Sequence, residues 1–133
     1  MKVIISIPAY NEEKTISKVI EDIKKEMSKT RYNYSILVLN DGSTDNTIKV
    51  AEKAGAIVFS NSHNLGLAQT FRNEIKKFIE LNGDVMIHTD ADGQYYAEDI
   101  PRLLKEIDNG ADLVLGSRFY EKNNNMPLSK RIG

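Results

Sequence analysis

Two hydrophobic periods alternate along this chain, and that alternation limits the possible folds more than any single motif does. Short aliphatic runs occupy residues 3–7, 35–39, 56–59, 85–88 and 113–115. They are nearly continuous in apolar side chains, as parallel strands covered on both faces are. Amphipathic patterns lie between them. Ile16, Val19, Ile20, Ile23 and Met27 share one helical face, as do Leu67, Phe71, Ile75, Phe78 and Ile79, and again Ile100, Leu103, Leu104 and Ile107. The alternation predicts an α/β fold: a mainly parallel sheet with right-handed crossovers and helices on both faces. Length agrees, since 133 residues suit one domain with its own core.

Local punctuation supports the same order. Asn11 and Thr44 read as helix N-caps, and Glu12 and Glu13 place negative charge at the positive end of the first helix. Gly55, Gly83 and Gly110 each follow a helical pattern and precede a strand, the place of a left-handed C-cap. Pro101 falls in the first turn of its helix, where its missing N–H costs little. Residues 120–133 depart from the pattern: Asn123, Asn124 and Asn125 are loop-like, and Ser129, Lys130 and Arg131 are basic.

Charge and composition narrow the function. With 18 basic and 19 acidic side chains the net charge is −1, which argues against a partner held by its phosphate backbone, so no nucleic acid is expected. The absence of cysteine excludes disulfides, thiolate zinc sites and a cysteine nucleophile, and it suits a reducing compartment. The longest apolar stretches fall far short of the roughly 20 residues of a membrane helix. The N-terminus runs straight into a strand pattern without a secretory signal, so a cytoplasmic protein is expected. No Walker A loop and no Gly-x-Gly-x-x-Gly follows the first strand.

In an open α/β sheet, ligands bind beyond the carboxyl ends of the strands. The polar residues that need explaining fall there. Asp90-Ala91-Asp92 follows the fourth apolar run, and two carboxylates one residue apart can face a single hard cation such as Mg²⁺ or Mn²⁺, with Gln94 adding a neutral oxygen. The plainer reading is a solvated turn in which one aspartate caps the next helix. Asn40 and Asp41 either accept hydrogen bonds from a nucleobase or ribose, or belong to an ordinary Asp-Gly-Ser turn. Tyr10 offers a ring to stack on a base and Glu12 an acceptor for a ribose or base, although a packed aromatic and a helix-end charge explain them equally well. Arg118 follows the fifth run, where its fork suits a phosphate or a surface ion pair. His88 reads as a core residue and His63 as a loop residue; neither has a serine or aspartate partner by spacing, so no triad is built.

Taken together, five segments resemble, in order, the motifs of family 2 glycosyltransferases. They are Ile7-Pro8-Ala9-Tyr10-Asn11-Glu12, Asn40-Asp41-Gly42-Ser43-Thr44-Asp45, Asn64-Leu65-Gly66-Leu67-Ala68, Asp90-Ala91-Asp92-Gly93-Gln94 and Gly116-Ser117-Arg118-Phe119. The resemblance covers nearly the whole chain and implies the GT-A fold, a Rossmann-like nucleotide-diphospho-sugar transferase. Asp-Ala-Asp-Gly-Gln followed by Gly-Ser-Arg-Phe most resembles the polyprenyl-phosphate (dolichol-phosphate) mannose and glucose synthases. It implies that Pro8, Ala9, Tyr10, Glu12, Asn40, Asp41, Asp90 and Ala91 line a GDP- or UDP-sugar, and that Asp90, Asp92 and Gln94 hold Mg²⁺ or Mn²⁺ on its diphosphate. Arg118, together with Arg131, would meet the phosphate of a polyprenyl-phosphate acceptor, leaving Asp92 and Arg118 as the implied catalytic residues.

The implied activity is metal-dependent, inverting hexosyl transfer. A phosphate acceptor is already an anion and needs no general base, whereas a hydroxyl acceptor would need one, with Asp99 as a candidate. Residues 126–131 are similar to the start of a membrane-facing helix, implying peripheral contact with the cytoplasmic face of a membrane. Two departures stand out. Asn40 replaces the first of two aspartates, though an amide oxygen still accepts a hydrogen bond from a base. Family members also run well beyond this length. Residues 1–119 are therefore expected to be the nucleotide-sugar core and residues 120–133 the opening of an acceptor-side, membrane-facing segment. Two rival readings remain: a family 2 transferase with a saccharide or protein hydroxyl acceptor, and a non-catalytic nucleotide-binding fragment. A phospho-receiver domain fits poorly, because Tyr10 and Arg118 stand where an acidic residue and a lysine would be wanted.

Overall fold

The computed structural model describes residues 1–117. Its elements follow in the order β1 (Lys2–Ala9), α1 (Ile16–Met27), β2 (Asn33–Asn40), α2 (Thr47–Lys53), β3 (Ile57–Ser60), α3 (Leu67–Glu80), β4 (Val85–His88) and α4 (Asp99–Asp108). The four strands form one sheet in the order β3-β2-β1-β4, with every pair parallel. The chain steps outward from β1 to β3 and then crosses back past β1 to β4. That reversal carries α3 to the opposite face: α1 packs against α2 and α4, whereas α3 packs on β1 and β2.

The central strand explains the core. β1 pairs with β2 from Lys2↔Asn33 to Ala9↔Asn40 and with β4 from Val3↔Val85 to Ser6↔His88. Its alternate residues Val3, Ile5, Ile7 and Ala9 meet Ile16, Ile20, Ile23 and Met27 of α1 and Ile100 and Leu104 of α4 in the larger core. On the other face Ile4 joins Leu37 and Leu39 in a smaller one, over which Phe59, Phe78 and Leu81 pack. Cover on both faces, expected of all the strands, holds for β1 and the inner half of β2. Among the described residues β3 and β4 are the edges of the sheet, with only partial burial.

Three local expectations are corrected. Residues 113–115 do not form a fifth strand; Leu113 and Leu115 are 75% and 80% exposed. A strand needs a neighbour for its backbone and a cover for its apolar face, and among the described residues β4 pairs only with β1. Nor do Asn11 and Thr44 cap helices, because α1 follows Thr15 and α2 follows Asn46. Instead the two loops bind each other. Asn11, at φ 54°, accepts the Thr44 N–H at 2.8 Å, and its own N–H donates to Ser43 Oγ at 2.9 Å. The Glu12 N–H donates to Thr47 Oγ1 at 2.9 Å and the Asn46 N–H to Glu13 Oε2 at 3.0 Å.

The third correction concerns Gly83. Gly55 and Gly110 take the left-handed conformation, but after α3 Asn82 takes it instead, at φ 53°. Gly83 is needed for space. A Cβ there would lie 2.3 Å from Phe78 Cε2 and 2.7 Å from Ile4 Cγ1.

Gly83→Ala is therefore expected to lower stability by about 1–3 kcal/mol through overpacking, read as a reduced urea midpoint at constant slope. Trimming the obstructing ring in Gly83→Ala/Phe78→Leu should cost less than the sum of the single changes. Strict additivity would show that the clash is not the cause.

Candidate functional site

The carboxyl ends of β1, β2 and β4 share one edge of the sheet, and a cavity of about 310 Å³ opens there. It gathers Pro8, Ala9, Tyr10 and Glu12 from beyond β1, Asp41 from beyond β2, and Asp90, Ala91 and Asp92 from beyond β4, with Asn64, Gly66, Leu67 and Thr70 from the start of α3. Tyr10 is 46% exposed, with its ring available for stacking. Glu12 is fixed from below: its carbonyl accepts the N–H groups of Thr15 and Ile16 at 3.1 and 3.0 Å.

Asp41 organises one wall. Its N–H extends the β1–β2 ladder by donating to the Ala9 carbonyl at 2.8 Å. Its side chain reaches across to α3, where Oδ1 accepts the Leu65 N–H and the Asn61 amide at 2.8 Å each, and Oδ2 accepts the Gly66 N–H at 3.0 Å. Burial acts to raise the Asp41 pKa, but the donors on Leu65, Asn61, Gly66 and Thr70 outweigh it and hold the carboxyl below its ordinary value. Asn61 also donates to Thr70 Oγ1 at 3.1 Å and accepts the Asn73 amide at 2.8 Å. Gly42 permits the close approach: a Cβ there would sit 2.6 Å from Asn64 N.

Asp90 and Asp92 form the facing wall. Both are part-buried, and Asp92 Oδ1 accepts the Gln94 N–H at 3.0 Å, which fixes the turn. Neither takes part in an ion pair among the described residues. A second cavity of about 290 Å³, bordered by α1, Tyr95 and Tyr96, opens on the other side of this turn and shares both aspartates. The described residues hold no group of three or more His, Cys, Asp or Glu that could form an all-protein metal cage. Two carboxylates beside an open cavity instead fit a hard cation that keeps waters and takes its remaining oxygens from a phosphate.

The sequence-derived set is thus largely brought together, with exceptions. Asn40 does not line the cavity. It is 2% exposed, accepting the Ser43 N–H at 3.1 Å and donating to Ser60 Oγ at 3.1 Å, so it braces the turn from beneath. Gln94 does not line the main cavity either. Arg118 and Arg131 lie outside the described residues. Asn61 and Thr70, which hold Asp41, and Asn73, which holds Asn61, carried no sequence signal, because each is an ordinary polar residue until the fold brings them together. His88 is not a core residue: its side chain is 36% exposed, with Nδ1 3.3 Å from Glu74 Oε2. The Glu74 carboxylate raises the His88 pKa against the opposing effect of burial, and Asp90 adds to the rise.

Comparison with known proteins matches this arrangement to one family. The family model described as Glycosyl transferase family 2 matches residues 4–133. A UDP-N-acetylglucosamine–dolichyl-phosphate N-acetylglucosaminyltransferase of Methanococcus voltae is 32% identical over 96% of this chain and 57% of its own length. A dolichol-phosphate mannosyltransferase of Pyrococcus furiosus is 33% identical over 99% of this chain and 38% of its own length. Among solved structures, glucosyl-3-phosphoglycerate synthase from Mycobacterium tuberculosis, in complex with Mn²⁺, UDP-glucose and phosphoglyceric acid, superposes with a TM-score of 0.65 at 25% identity. That match covers 82% of this chain and 40% of the synthase. The chain spans about half the length of the curated relatives it matches first.

The hydrogen bonds to Asp41 yield a test with a defined sign. Because its folded pKa lies below the ordinary 3.8, its contribution is present above that value and is lost as pH falls through the folded pKa. Asp41→Ala should cost about 2–3 kcal/mol at neutral pH. Urea stability measured from about pH 5 down to pH 2 should fall less steeply in the variant than in the parent chain. Equal acid sensitivity would remove Asp41 from this role.

Proposed function

The chain belongs to glycosyl transferase family 2, and on that premise we propose that it supplies the donor half of an inverting hexosyltransferase. The donor is a GDP- or UDP-sugar, the acceptor a polyprenyl phosphate, and the reaction depends on Mg²⁺ or Mn²⁺. One observation carries this reading: a single cavity at the carboxyl edge of the sheet joins the exposed ring of Tyr10 to Asp90 and Asp92, which make no ion pair among the described residues. The two dolichyl-phosphate transferases, at 32% and 33% identity, favour a lipid phosphate over the small phosphorylated acid of the more distant synthase.

In this reading each element has one task. Tyr10 stacks on the base, with Pro8 and Ala9 forming the floor beneath it, and Glu12 accepts from the ribose or base. Asp41 sets the height of the wall that carries Gly66, Leu67 and Thr70. Asp90 and Asp92, on either side of Ala91, would hold the divalent ion. When bound, the ion supplies the positive charge that stabilises a departing nucleoside diphosphate. Attack from the face opposite the leaving group inverts the anomeric centre. A phosphate acceptor is an anion at neutral pH and requires no proton removal, so no base is assigned. Arg118 and Arg131 are proposed for the acceptor phosphate, within a scheme in which residues 1–119 form the donor core and residues 120–133 open the acceptor side. No helix among the described residues is long and apolar enough to cross a membrane. A polyprenyl acceptor would bring this domain to the cytoplasmic face of a membrane by peripheral contact.

Calorimetric titration of UDP and GDP, each with Mn²⁺ and with chelator, tests the donor site. One nucleotide should bind more tightly with the metal, and Asp92→Ala should lose that gain, at least tenfold or about 1.4 kcal/mol. Undiminished metal-dependent affinity in the variant would defeat the metal assignment. Labelled sugar recovered on a lipid phosphate would support the proposed acceptor. Recovery on a saccharide or peptide hydroxyl would favour the rival transferase.

A further inference from the structure

Glu74 is the most unusual residue of the interior. It lies midway along α3 with its side chain turned into the sheet, and it is 0% exposed. Ser6 Oγ donates to its Oε1 at 2.6 Å. Its Oε2 has no directed hydrogen bond, and the neighbouring charge partner is His88 Nδ1 at 3.3 Å. Phe71 meets the imidazole edge-on, with ring centroids 5.3 Å apart and planes at 87°.

A carboxylate removed from water is costly unless it is paired, and apolar side chains in place of a buried ion pair are often neutral or stabilising. Stability alone therefore does not account for this arrangement, and its location does. Ser6 and His88 are register partners across β1 and β4, and the next N–H, that of Thr89, donates to the Ser6 carbonyl at 3.1 Å. Asp90 follows directly. β4 has four residues and, among the described residues, one neighbour, so its carboxyl end has little other support. One turn before Glu74, Thr70 of the same helix lines the cavity wall that Asp41 organises.

We propose that Glu74 and His88 are positioning residues. Together with Ser6 they tie α3 to the carboxyl end of β4 and so set Asp90 at a fixed distance from the wall held by Asp41. This claim concerns the unliganded chain. Only its effect on nucleotide binding rests on the function proposed above.

The test replaces the pair with apolar residues, Glu74→Leu/His88→Leu, and measures amide exchange at Thr89 against the interior amides of β1. The melting temperature should stay at or above that of the parent while Thr89 exchanges about tenfold faster and the β1 amides do not change. A Thr89 rate that stays with β1 overturns the proposal. If the double variant does not fold, Glu74→Gln decides in the same way: it keeps the shape and the Ser6 contact but removes the charge, and faster exchange confined to Thr89 is expected. In a parent chain that binds UDP with Mn²⁺, the double variant should bind about tenfold more weakly in metal and equally in chelator. Unchanged affinity in metal would overturn the link to Asp90. A parent that binds no nucleotide would count against the proposed function, while the exchange rates would still decide the positioning claim.

Discussion

Everything at the candidate site depends on β1 having neither a free face nor a free edge along residues 3–6. Both of its neighbours run parallel to it, so all three strands end on the same side of the sheet. The ladder continues past the strands: Asp41 N–H reaches the Ala9 carbonyl and Thr89 N–H the Ser6 carbonyl. Residues far apart in sequence are thereby brought to one edge by backbone bonds alone, before any loop chooses its conformation. The reversal of strand order, with β2 and β4 on opposite sides of β1, separates the crossovers onto two faces and leaves the crevice between them.

Two buried carboxylates flank that crevice, and they are stabilised differently. Asp41 is surrounded by donors, two of them backbone N–H groups at the start of α3, where the helix dipole also favours negative charge. Its ionised form is the favoured one, and holding the turn that leads into α3 is reason enough for its place. Glu74 has a hydroxyl and an imperfectly aligned imidazole for a fully buried group. Asp41 fixes one wall from above and Glu74 reaches the other from below, so the helix between them acts as a common strut.

The strand–helix order was legible because burial on two faces writes continuous apolar runs, and the site edge was legible because polar residues interrupt those runs on one side only. Asp90, Asp92, Tyr10 and Glu12 stand where the motif spacing puts them. What failed did so for long-range reasons. Asn11 and Thr44 carry good capping chemistry, but each finds a better partner in the other's loop. Gly83 looks like a C-cap, yet it is held by the ring of Phe78. His88 reads as a core residue because an edge strand cannot be told from a central one by its residues alone. Glu74 carried no signal in the sequence; its place shows only when the register of β1 and β4 puts Ser6 and His88 beneath it.

Charge then distinguishes the aspartates from one another. Asp41 gives its lone pairs to four donors within the fold, so its negative charge is largely compensated without a ligand. Asp90 and Asp92 border the same cavity with no ion pair among the described residues, and Asp92 accepts the Gln94 N–H. Two carboxylates one residue apart beside an open cavity suit a hard cation that keeps part of its water shell. In the proposed reading a cation held there would offer positive charge to the cavity that Tyr10 borders, and a nucleoside diphosphate would suit both ends. On that reading the two aspartates and the exposed ring of Tyr10, which border one cavity, would share one ligand rather than two.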